Sequence, residues 1–331
     1  MPETNTIIAE PSASRKWRSQ MFRSLFQQYG IAIAFIVLCL FLTFSNKYFL
    51  TSGNIINVLR QTSINGILAM GMTLVILTGG IDLSVGAVLA CAGIVAGSLV
   101  TGDHPYPVAL AILAGLAVGV VLGCVNGLLV AKWKIPPFVA TLGMLSAARG
   151  LTYVYSNGQP IPGLSDEFLT IGQGVFAGVP IPVFIFISIF ATLYLVLTRT
   201  VYGRRIYAVG GNEKSARTAG VSTKPVIFFA YVICGLLSGL AGLILTARTS
   251  SALPQAGLAY ELDAIAAVVI GGTSLSGGVG GVIGSLLGAL IIGVINNGLD
   301  LLGVDSSFQQ IIKGAIIVGA VFLDSRRHDT K

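Results

Sequence analysis

The sequence predicts an all-α, polytopic membrane protein with about ten transmembrane helices, and three observations carry that prediction. Hydrophobic residues make up 54% of the 331 residues and charged ones only 10%, with a mean hydropathy of +0.86. A soluble globule carries about 25% charged residues, so this chain lacks the polar surface to face water on every side. The charges are also clustered. No Lys or Arg lies between Arg60 and Lys132, and none lies between Arg149 and Arg199. Finally, glycines recur at every fourth position in several apolar stretches, the spacing that lets helix backbones approach closely in lipid.

Taken in order, the apolar stretches long enough to cross or nearly cross the hydrocarbon are 29–49, 63–77, 83–100, 108–131, 138–155, 181–197, 226–247, 259–271, 280–300 and 308–323. The second and eighth are short. The basic run Arg15, Lys16, Arg18 and Arg23 precedes the first stretch with no small-residue cleavage site after it, so this stretch reads as a retained helix. The chain divides into a polar basic tail (1–28), one membrane domain (29–323) and a second polar tail (324–331).

With both ends inside, the cytoplasmic segments 1–28, 132–137, 198–225 and 324–331 hold most of the basic residues. Among them are Lys132, Lys134, Arg199, Arg204, Arg205, Lys214, Arg217, Lys224, Arg326, Arg327 and Lys331. The segment 156–180 holds Asp166 and Glu167 and no basic residue, which places it outside. The net charge of +7 is therefore an orientation signal, and no basic face is left for nucleic acid.

Three rows of small residues (Gly115, Gly119, Gly123 and Gly127; Gly93 and Gly97; Gly280, Gly284 and Gly288) read first as packing within the chain. A weak duplication aligns 81–89 with 261–269 and Asn126-Gly127-Leu128 with Asn297-Gly298-Leu299. Its offset of five spans predicts an inverted repeat.

Enzyme chemistry has no anchor. Lys214-Ser215 follows Glu213 where a phosphate-binding loop needs Gly, and no GxSxG is present. His104 and His328 are far apart, and Cys39, Cys91, Cys124 and Cys234 each fall in a separate apolar stretch. No metal, cofactor or disulfide is implied. Asp82, Glu261 and Asp263 read first as helix caps, and Arg149 and Lys313 as snorkelling, paired or pathway-lining side chains. No paired ionisable cluster of the kind an ion-coupled carrier needs is visible.

Two glycine-rich breaks, Gly79–Gly86 and Gly271–Gly278, share the pattern Gly-Gly-x-x-Leu-Ser-x-Gly. Each reads either as irregular backbone lining a path for a neutral polyhydroxyl solute or as a tight cytoplasmic turn. In the segment 199–224, Asn212 is placed to cap a short helix over 213–219 that Gly220 ends, and a capped surface helix suggests docking.

The set Gly80-Ile81-Asp82-Leu83-Ser84-Val85-Gly86, Phe138-Val139-Ala140-Thr141-Leu142-Gly143, Arg149-Gly150, Gly210-Gly211-Asn212-Glu213 and Gly271-Gly272-Thr273-Ser274-Leu275 resembles the ribose-type sugar permeases of bacterial ABC importers. The resemblance runs from about residue 29 to 323 and departs from the pattern only in the tail over 1–24. It implies a permease that works as a pair in the inner membrane and moves a monosaccharide, with ribose the leading cargo. It also implies a cytoplasmic ATPase with two nucleotide-binding halves, which accounts for the missing phosphate loop, and a periplasmic sugar-binding protein that the outer segments 156–180 and 248–260 receive. Under it the short helix becomes a coupling helix shaped by Gly211, Asn212, Glu213 and Gly220, with Arg204, Arg205 and Arg217 set to pair with acidic ATPase surface. Asp82, Ser84, Thr273, Ser274 and Ser276 become the candidates for the substrate path or its supporting breaks. The alternatives are another sugar or a polyol-like signal molecule as cargo, or an ion-coupled secondary transporter.

Overall fold

A computed structural model describes residues 30–102 and 104–328. The tail over 1–28, the start of the first span and residues 329–331 lie outside the described residues. Helices follow in the order α1 (Gly30–Ser45), α2 (Ser52–Leu77), α3 (Val85–Leu99), α4 (Val108–Ala131), α5 (Pro137–Tyr155), α6 (Asp166–Gln173) and α7 (Ile181–Arg199). They continue with α8 (Val201–Gly211), α9 (Glu213–Thr218), α10 (Thr223–Thr249), α11 (Tyr260–Ile270), α12 (Val282–Leu301) and α13 (Ser306–His328). All but α6, α8 and α9 stand where the sequence places a span. By length and composition α4, α7, α10 and α12 are able to cross a bilayer, and α1 and α3 are shorter apolar helices.

The core forms around α10, which packs on α2, α3 and α4. The glycine rows explain the closeness of these contacts. On α4, a Cβ at Gly119 would strike the carbonyl of Gly235, and one at Gly123 would stand 2.7 Å from the carbonyl of Tyr231. A Cβ at Gly239 on α10 would stand 2.9 Å from the carbonyl of Gly115. Gly284 and Gly288 likewise seat α12 on Gly271 and Ala267. All of these are contacts within the chain. A Gly119→Val variant is expected to lose most of its monodisperse peak on size exclusion, because overpacking here pushes on backbone and costs roughly 1–3 kcal/mol or more.

The structure departs from the sequence expectations in four places. First, α2 starts at Ser52 rather than at 63, because its polar first turns find partners. Asn54 and Asn297 exchange side-chain hydrogen bonds (3.0 and 2.7 Å), Arg248 donates to Asn57 (2.9 Å), and Arg60 donates to the carbonyl of Gln173 (2.6 Å). Second, the cytoplasmic segment contains another helix, α8. Thr200 caps it by accepting from the Gly203 amide, and Ile206 and Val209 are buried. Third, the segment 156–180 is structured. It holds α6, the strand β1 (Ile161–Pro162), and a hairpin of β2 (Val175–Phe176) and β3 (Val179–Pro180). β1 pairs antiparallel with β4 (Ser251–Ala252).

Fourth, α11 has 11 residues and rises only about 16 Å, half the hydrocarbon thickness. The chain that leads into it is irregular and lies along α3. A Cβ at Gly97 would stand 2.7 Å from the Ala252 Cβ, while one at Gly86 would meet the Gly257 carbonyl. The segment from Ala252 to Gly257 therefore runs back beside α3 for roughly 16 Å. The eighth predicted span is thus a half-length helix, and it is the predicted outer segment before it that forms a re-entrant chain beside α3.

Candidate functional site

The two glycine-rich breaks converge at one end of the bundle but do different things. The first, over 78–84, leaves α2 beside α8 and passes inward along α10. A Cβ at Gly80 would collide with the Tyr231 hydroxyl, and Tyr231 lies about 12 Å up α10 from its first residue. The second, over 271–281, is a closed turn. Ser274 donates its amide to the Val279 carbonyl (3.0 Å), and the Gly281 amide donates to Thr273 Oγ1 (3.2 Å). Positive φ at Gly272 (84°), Gly277 (87°), Gly278 (72°) and Gly280 (117°) makes glycine necessary there. The two breaks touch through the Gly278 amide, which donates to the Leu77 carbonyl at 3.0 Å.

Around the first break, Asp82 and Ser84 are buried with Asn126 of α4. Asp82 Oδ1 accepts from the Ser84 amide (2.9 Å) and hydroxyl (2.6 Å), and Asn126 Nδ2 donates to Ser84 Oγ (2.9 Å). Asp82 therefore holds the turn that enters α3, while Ser84 takes the N-cap position. Of the residues the sequence singles out, Asp82, Ser84, Thr273 and Ser274 are buried and Ser276 is exposed.

Asp263 is not a cap. It is 2% exposed, accepts from Asn296 Nδ2 (3.1 Å) and forms an ion pair with Lys313 Nζ (3.0 Å). This is the paired ionisable contact that is not visible in the sequence. Arg149 Nη1 donates to the carbonyls of Pro254 (2.6 Å) and Ala256 (2.9 Å), tying the re-entrant chain to α5. Two of these contacts are alike. In α4 and α12 an asparagine five residues before the last helical residue (Asn126, Asn296) donates to an aspartate on the preceding short helix or its lead-in. The geometry pairs Asn126 with Asn296, one residue from the sequence alignment with Asn297. Asparagines inside strongly apolar helices were the signal available for this.

The helix α9 forms as the sequence indicates. Asn212 Oδ1 accepts from the Ser215 amide (2.8 Å), Glu213 pairs with Arg217 (2.6 Å) and receives the Thr223 hydroxyl (3.0 Å), and Gly220 closes the end at φ 83°. Arg204, Arg205 and Arg217 are all exposed, and Arg217 also pairs with Glu213 within the chain. Gly210 presses on the Leu77 carbonyl and the Gly278 amide, Gly211 has open space around it, and the Tyr207 hydroxyl donates to the Gly280 carbonyl (2.9 Å). Burial raises the pKa of that Tyr207 phenol above its ordinary value. A cavity of about 380 Å³ lies between α9, the first break and the α4–α5 connection. Glu213, Lys214, Lys134, Gly79, Gly80 and Tyr231 are among its lining residues. Among the described residues no group of side chains could hold a metal ion, and the cysteines are unpaired thiols.

An α-helical membrane domain with irregular chain between its helices and a capped surface helix at one end is the build of a transport permease. The chain belongs to the family described as branched-chain amino acid transport system / permease component, which matches residues 54–321. It is 50% identical over 309 residues to the ribose import permease protein RbsC of Bacillus subtilis (92% of this chain, 95% of that protein). It is 49% identical over 328 residues to RbsC of Escherichia coli K12 (98% and 99%). It is 38% identical over 323 residues to the D-allose transport system permease protein AlsC of the same strain (97% and 98%). No solved structure matches the chain.

Proposed function

We propose that this chain is the membrane permease of an ABC importer that carries ribose across the inner membrane, powered by ATP hydrolysis in a partner ATPase. The near full-length identity to ribose import permeases carries the cargo assignment. The capped helix α9, joined through α8 to both breaks, supports the coupling assignment. In this reading the ATPase has two nucleotide-binding halves, and each receives α9 from one of two permease copies, with Arg204 and Arg205 available to meet acidic surface. Both chain ends lie in the cytoplasm, and a periplasmic sugar-binding protein docks on the segment 156–180 at the other end. Asp82, Ser84, Thr273, Ser274 and Ser276 support the path by holding the breaks in shape.

Removing the α9 cap in Asn212→Ala costs about 1 kcal/mol of local helix stability. Sugar-stimulated ATP hydrolysis by the assembled complex is expected to fall several-fold while permease yield stays level. Unchanged stimulation would contradict the coupling role of α9. Competition of labelled ribose uptake by unlabelled D-allose tests the cargo, since the relationship to AlsC makes allose the second reading. Ribose is expected to compete at lower concentration.

A further inference from the structure

The re-entrant chain between β4 and α11 carries an inference that rests on the transport reading above. Irregular backbone at membrane depth is tolerated only where it is buried in protein or faces water. Part of this segment is buried: Pro254 and Gly257 lie against α3 and α5. Gln255, however, is exposed on the same stretch, and Glu261 at the start of α11 is only half-buried. Glu261 lies beside Gly86, at the level where the re-entrant chain meets the first turn of α3: its Oε2 would stand 2.6 Å from a Cβ there. Arg149 is half-buried at the edge of α5. Its Nη1 serves two carbonyls, and among the described residues no other hydrogen bond is formed by its guanidinium.

The adjoining surface of α5 sets small residues between its exposed apolar side chains. Gly143, Ser146, Ala147 and Gly150 are exposed together, and a Cβ at Gly143 or Gly150 would have nothing within 4 Å. The glycines along α4, by contrast, press on α10, and both helices also expose large apolar side chains, among them Leu113 and Val121 on α4 and Val139 and Val154 on α5. An arginine, a glutamate and a glutamine on one lipid-exposed surface would be costly at this depth.

We propose that Arg149, Gln255 and Glu261, with the bare Ser146 face of α5, form a wall of the translocation path at membrane depth. This wall exchanges hydrogen bonds with the hydroxyls of a neutral sugar as it passes. A guanidinium and a carboxylate flanking an amide offer donors and acceptors to vicinal hydroxyls, and no member of the set needs a counter-ion from the solute. The buried candidates Asp82, Ser84, Thr273 and Ser274 then act behind the wall and not on it.

Accessibility to a hydrophilic, membrane-impermeant maleimide tests this in the assembled complex in proteoliposomes under ATP turnover. The unsubstituted chain sets the background from Cys39, Cys91, Cys124 and Cys234. Ser146→Cys and Gln255→Cys are exposed substitutions with little effect on packing. Both are expected to react at least tenfold faster than Val121→Cys on the apolar face of α4, and reaction at Gln255→Cys is expected to block uptake. Rates no faster than that of Val121→Cys, in complexes that still take up sugar, would overturn the proposal and leave the transport reading standing. Absence of uptake by the unsubstituted complex would instead overturn the transport reading beneath it.

Discussion

Replacing Lys313 with methionine is expected to destabilise the protein by about 3–5 kcal/mol, because it strands a buried carboxylate. Asp263 is 2% exposed and its partners are the Lys313 ammonium and the Asn296 amide. The pair links α11 to α13, and α11 is too short to hold its place by spanning alone. The expected readout is a drop of several degrees or more in the midpoint of thermal unfolding in detergent, with reduced yield. The paired replacement Asp263→Leu with Lys313→Met removes both charges and is expected to recover a large part of the loss, since a matched apolar pair avoids the desolvation cost. If Lys313→Met unfolds at the native temperature, the ion pair is not what holds α11.

Gly210→Val is expected to abolish transport. A Cβ at Gly210 would collide with the Leu77 carbonyl and stand 2.5 Å from the Gly278 amide, the two groups through which the breaks touch each other. No rotamer relieves a clash made by the Cβ itself, so α8 must lift from both breaks. On the proposed function this separates α9 from the membrane helices. Uptake is expected to fall at least tenfold while the complex retains basal ATP hydrolysis, a pattern that distinguishes lost coupling from lost folding. Gly211→Ala, one residue on with open space around it, is the matched control and is expected to transport normally. Equal uptake by the two variants would contradict the role of this contact.

Much of the fold is legible in the sequence because the bilayer imposes a simple rule: apolar stretches of sufficient length become helices. The helix α9 is equally legible, since Asn212 and Gly220 bracket it with local signals. What the sequence hides depends on partners distant in the chain. The polar start of α2 reads as a loop until Asn297, Arg248 and Gln173 are seen to satisfy it. Asp263 reads as a cap because Lys313 lies 50 residues away. The chain over 252–259 reads as an ordinary outer loop, since nothing local reveals that α3 leaves a groove for it. The two breaks share a pattern, yet the first leads inward from one helix to the next and the second closes on itself. The difference lies in the consecutive glycines with positive φ that only the second uses.

The most direct test of the transport account is labelled ribose uptake into proteoliposomes holding this chain, with and without its ATPase, its binding protein and internal ATP. Uptake is expected only when all of these are present, saturable by ribose and unaffected by collapsing proton and sodium gradients. Uptake by this chain alone, driven by an ion gradient, would contradict it and make the Asp263–Lys313 pair the first place to look for the coupling ion.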